Sequence, residues 1–82
     1  GLSEAKPSGL PPLNEAEVVR LGSAFLDAKG IDSSFRSAAQ TRVSPVGCRY
    51  AYEEAERLDS FGIGFVVEVD RSGAVVDFYS SE

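Results

Sequence analysis

The chain reads as a single α+β domain: one long N-terminal helix packed on an antiparallel sheet of three or four strands. Three observations predict this class. The 82 residues suffice for one small domain. "LNEAEVVRLGSAFLDAKGI", from Leu13, carries the three-four apolar spacing of an amphipathic helix between a start and a stop signal. "FVVEV" and "AVVDFY", around "DRSG", are β-branched and aromatic runs flanking a turn.

The helix comes first. Asn14 is placed to cap it by accepting from the Glu17 amide, and Glu17, three residues on, can reach back to close a capping box. Leu13 and Val18 supply a hydrophobic staple across the cap. Glu15 and Glu17 set negative charge at the positive end of the dipole, and Lys29 sits at the other end. Val18, Leu21, Phe25 and Ala28 form the expected buried stripe, widened by Leu26. Gly30 is suited to the left-handed conformation that stops a helix, with Ile31 folding back on Leu26. Ahead of it, residues 1–12 hold three of the four prolines and no apolar period, the pattern of a flexible tail or linker before a domain spanning 13–82.

The middle is less patterned. In "DSSFRSAAQTR", residues 32–42, Asp32 can cap a short helical turn with Phe35 inward, and the later part can equally open a strand. "VSPVGCRYAYEE" reads as one strand interrupted by Pro45 and Gly47, hence an edge or bulged strand. Alternation sets Cys48, Tyr50 and Tyr52 on one side and Arg49, Ala51 and Glu53 on the other.

The last segment predicts a hairpin. Aspartate first and glycine fourth in "DRSG" is the signature of a type I turn. Pairing Val69 with Ala74, Val67 with Val76 and Phe65 with Phe78 gathers Phe65, Val67, Val69, Val76 and Phe78 on one face. It leaves Val66, Glu68, Val75, Asp77 and Tyr79 on the other. A one-residue slip through a glycine bulge suits the turn but sets Asp77 beside Val67. Burial selects the even register.

Composition excludes several function classes. Thirteen acidic against eight basic residues give a net charge of −5, contrary to the basic face that nucleic acids and anionic membranes require. No apolar run approaches the roughly 20 residues that span a bilayer. There is no histidine, so the usual base for a serine or cysteine nucleophile is missing. Zinc clusters, a phosphate-binding glycine loop and a dinucleotide fingerprint are missing too. Cys48, the single cysteine, excludes an internal disulfide and reads as a small half-buried core residue. The chain begins with Gly1 and has no methionine, the mark of a processed or trimmed chain. No cofactor is called for. The one carboxylate cluster, Glu53, Glu54, Glu56 and Asp59, offers hard-cation or acid–base chemistry, against its reading as a solvated acidic loop.

"LNEAEVVRLGSAFLDAKG" and "FVVEVDRSGAVV" together resemble the small PepSY-like domains, over residues 13–31 and 63–79. The first looks like their helix of acidic, small and apolar residues, and the second like their closing strands around an aspartate-to-glycine turn. Phe65 stands where a tryptophan is expected, and the middle segment does not align. The resemblance implies an exported, non-catalytic domain that binds or restrains a peptidase or another partner. A cystatin-like or bacterial immunity-protein sheet with one helix gives much the same pattern.

The reading is therefore a non-enzymatic binding or inhibitory module, periplasmic or secreted, for a protein partner or a second copy of itself. Val66, Val75, Asp77 and Tyr79 are its candidate partner surface. Pro45 and Gly47 are expected to blunt the first strand's edge, which assigns strand docking to the last strand, 74–80. The rivals are a small enzyme or metal-binding domain using Glu53, Glu54, Glu56 and Asp59, and an accessory domain of a longer protein.

Overall fold

A computed structural model describes residues 13–58 and 63–81. The tail at residues 1–12 and Asp59 lie outside the described residues. The chain runs α1 (Glu15–Lys29), α2 (Ser33–Ala38), β1 (Gln40–Val46), β2 (Arg49–Ala55), β3 (Gly64–Asp70) and β4 (Val75–Ser80). The strands form one antiparallel sheet in the order β1-β2-β3-β4, with α1 laid across one face. The α+β class holds, with four strands. In place of one long helix stand α1, of 15 residues, and the short α2.

Local chemistry sets the helix ends. The Asn14 side chain accepts from Glu17 N at 2.8 Å. Glu17's carboxylate turns to Arg20 instead of closing the capping box. Gly30 sits at φ 76 and donates to Asp27 O at 3.0 Å, while Ile31 N reaches Leu26 O at 3.5 Å. These are the paired bonds of a Schellman stop. The buried line of α1 is Val18, Gly22 and Leu26, flanked by half-buried Leu21 and Phe25, with Ala28 exposed. The stripe turns because Gly22 receives the Tyr52 ring: a Cβ there would lie 2.9 Å from Tyr52 Cβ and closer still to the ring. Glycine inside a helix costs about 1 kcal/mol against alanine. Here it admits the largest side chain of the central core.

Asp32 caps α2 by accepting from Ser34 N at 3.0 Å, and Phe35 packs edge-on against Phe65 with centroids 5.5 Å apart. The strand begins just beyond, so both expectations for residues 32–42 are realised in succession. The single strand expected next is instead a hairpin. Gly47 and Cys48 form its two-residue turn, with Gly47 at φ 61 and Val46 opposite Arg49. Cys48 is therefore an exposed turn residue and not part of the core.

The β3–β4 register departs from the even one by two single-residue irregularities. Gly73, at φ 93, donates to Asp70 O, and Asp70 N donates to Ala74 O at 2.9 Å, which is the glycine-bulge turn. A second bulge falls at Glu68/Val69, after Val69 has met Val75; beyond it Glu68 faces Asp77, Val67 faces Phe78 and Val66 faces Tyr79. One slip would invert the faces, and two restore them. Phe65, Val67, Val69 and Phe78 thus reach the core as expected, but Val76 becomes the extra residue, 41% exposed. The core of Val18, Leu26, Tyr52, Phe65, Val67 and Val69 lies between α1 and the sheet.

Candidate partner surface

The face away from α1 carries two cross-strand rows. Arg42, Glu53, Val66 and Tyr79 form one, and Ser44, Ala51, Glu68 and Asp77 the other. In the first, Arg42 Nε meets Glu53 Oε1 at 2.7 Å. Val66 lies beside Tyr79, which is 48% exposed. In the second, Glu68 and Asp77 stand directly opposite, a repulsive arrangement for two carboxylates. Arg49 relieves it, with Nη1 2.9 Å from Glu68 Oε1 and 4.0 Å from Asp77 Oδ2. The bond to Glu68 chiefly holds the Arg49 guanidinium above its ordinary pKa.

Asp77 then orients the exposed aromatic. Its Oδ2 accepts from the Tyr79 hydroxyl at 2.8 Å, and its Oδ1 from Phe78 N at 2.9 Å. The bond to Asp77 raises the Tyr79 pKa, so the phenol is neutral at physiological pH and held in one direction. At one end of the face a shallow depression of about 280 Å³ opens between Glu53, Ala55, Arg57, Val66, Tyr79 and Ser80.

Of the four expected surface residues, Val66, Asp77 and Tyr79 come together here. Val75 does not: the turn bulge sets it opposite Val69, on the helix side. Arg42 and Arg49 are additions to the surface. The alternation in "RYAYE" already placed Arg49 and Glu53 together, but no local signal paired Arg42 with Glu53 before the hairpin was known.

The acidic cluster disperses. Glu53 and Glu54 leave β2 on opposite faces and Glu56 is exposed beyond the strand. Among the described residues no group of three or more metal-ligating side chains is gathered. Glu54, only 3% exposed, is gripped by Arg36 through Nε at 2.9 Å and Nη2 at 3.0 Å. Arg36 also reaches Ser23 Oγ at 2.6 Å and the Asp27 carboxylate, while the Tyr52 hydroxyl donates to Glu54. This clamp ties α1, α2 and β2 together. The bond to Glu54 chiefly raises the Arg36 pKa; burial, then the bond to Glu54, raises that of Tyr52. Three donors thus engage the two oxygens of Glu54.

No protein-family model, characterised protein or solved structure matches this chain. Among the described residues no helix is long and apolar enough to cross a membrane.

Proposed function

We propose that this protein is a non-enzymatic binding module whose uncovered sheet face takes a protein partner, with Val66, Asp77 and Tyr79 at the centre of contact. The observation that carries the reading is Tyr79: a half-exposed aromatic beside Val66, its hydroxyl fixed by Asp77. A pre-positioned tyrosine offers large contact area at small entropy cost, which is why tyrosines anchor interfaces. Around it the charges are paired with one another, so a partner need not leave them unmatched on docking. The chain's net charge of −5 favours protein over nucleic acid as that partner. The inhibitory or restraining role implied by a PepSY-like resemblance is one form of this reading. Placement in the periplasm or outside the cell rests on the tail's composition and that resemblance.

The test is affinity capture with the wild type and with Val66→Lys/Tyr79→Ala, after melting curves establish that both are folded. The expected result is a discrete protein retained by the wild type and lost by the variant. Identical captured sets would contradict the reading. Sedimentation over a concentration series identifies the case in which the partner is a second copy.

A further inference from the structure

The sheet has two edges, and they are not alike. Glu56 N on Ile63 O and Asp70 N on Ala74 O, both at 2.9 Å, fix the phase of the ladders. Antiparallel alternation then turns the N–H and C=O of Thr41 and Val43, and the C=O of Pro45, away from β2. On β4 the outward N–H of Phe78 is already taken by the Asp77 carboxylate at 2.9 Å, and the bulge at Val75 and Val76 breaks the line. Bulges and local side-chain caps are how sheets guard an edge. β1 carries only Pro45, whose missing N–H faces outward and disturbs no ladder.

We infer that β1 is a strand-accepting edge, and that its occupant is an extended segment of a partner protein with an acidic residue opposite Arg42. The inference deepens the binding-module reading and rests on it. Charge selects the occupant. Among the described residues Arg42 engages Glu53 through Nε, which leaves its Nη groups for a second carboxylate, and its side chain is 49% exposed at the edge. A carboxylate on the added strand would extend the row Arg42, Glu53, Val66 and Tyr79 by one position. A second copy fits poorly in the two antiparallel self-registers centred on Arg42 and Val43. Centred on Val43, the pairing sets Thr41 against Pro45, which has no N–H to give. Centred on Arg42, it sets two arginines side by side on one face. A neighbour's β4 carries the guards just described.

The probe is the capped heptapeptide Lys-Thr-Val-Glu-Val-Thr-Lys, titrated into isotope-labelled protein and followed by NMR. In the inferred register its valines bond Thr41 and Val43 and its glutamate meets Arg42. Saturable shifts and slowed amide exchange are expected at Thr41 and Val43, and both should vanish when the two valines are N-methylated. Exchanging the peptide's glutamate for lysine should weaken binding about threefold, the size of one cross-strand charge pair, and Arg42→Glu should reverse that preference. Thr41→Pro removes an outward donor without touching the β1–β2 ladder; it should abolish binding at an unchanged melting temperature. No saturation at millimolar peptide, or equal binding of the methylated peptide, would overturn strand addition. Shifts confined to Val66 and Tyr79 would overturn it too, while leaving the open-face reading intact. Protection of Thr41 and Val43 that grows with protein concentration in the absence of peptide would assign the edge to a second copy and overturn the partner assignment.

Discussion

Glu53 and Glu54 are neighbours in the chain, yet each belongs to a different face of the sheet. Glu54 points under the helices into an arginine clamp; Glu53 points to solvent and meets Arg42 across the hairpin. The chemistry of the two ion pairs is the same, and the difference lies in water. An exposed pair gains little, about 0–1 kcal/mol, because solvent screens it. A buried pair is costly to assemble, and losing one partner strands the other charge in a poor solvent, at about 3–5 kcal/mol. The helix-side pair therefore carries more of the fold's stability than the pair on the open face, where the recognition role proposed above is placed.

The sharpest way to break that contrast is Arg36→Ala. It leaves Glu54 buried without its partner and releases Ser23 and Asp27, so a loss of about 3–5 kcal/mol is expected. A domain this small has a margin of the same order, so denaturant titration should find the variant largely unfolded. Replacing both members, Arg36→Met with Glu54→Leu, should recover much of the loss, since no orphan charge remains. Next in size is Gly22→Ala. Helix propensity alone predicts a gain of about 1 kcal/mol. The Tyr52 ring occupies that space, and overpacking costs about 1–3 kcal/mol. The melting temperature should fall.

Gly22 and Arg36 also mark the limit of what the sequence reveals. The helix caps were legible because Asn14, Glu17, Gly30 and Ile31 interact within a few residues of one another. The faces of β2 and β3 were legible because alternation is a local property. The Arg36–Glu54 pair spans 18 residues, and nothing around Arg36 announces a buried partner. The β3–β4 register depended on two bulges, one written in the turn and one at Glu68/Val69 with no signature of its own. Burial and turn chemistry demand different registers; the second bulge satisfies both, and Val75 lies opposite Val69 instead of on the open face. Cys48 was misplaced because the two-residue turn at Gly47 and Cys48 lacks the asparagine or aspartate that most strongly announces such hairpins.

A smaller effect depends on pH. Burial and the bond to Glu54 raise the folded pKa of Tyr52, so its neutral form stabilises the fold at all pH values below the ordinary tyrosine value near 10. That contribution is lost as pH rises beyond it, because the unfolded chain ionises first. Urea midpoints should fall between pH 8 and pH 10.5, and Tyr52→Phe should fall less over the same interval. Smallest of all is Tyr79→Ala. The ring is 48% exposed and, among the described residues, its hydroxyl bonds to Asp77 on the same strand. Its removal should change stability by about 0.5 kcal/mol or less, measured by thermal melts, while removing the partner binding proposed above.

The most direct measurement is the same isosteric change at two adjacent positions. Glu54→Gln and Glu53→Gln keep volume and remove one charge from each face. Parallel denaturant titrations should show Glu54→Gln losing about 3 kcal/mol and Glu53→Gln less than about 1 kcal/mol. Equal losses, or the larger loss at Glu53, would mean that burial does not set the difference between the two ion pairs.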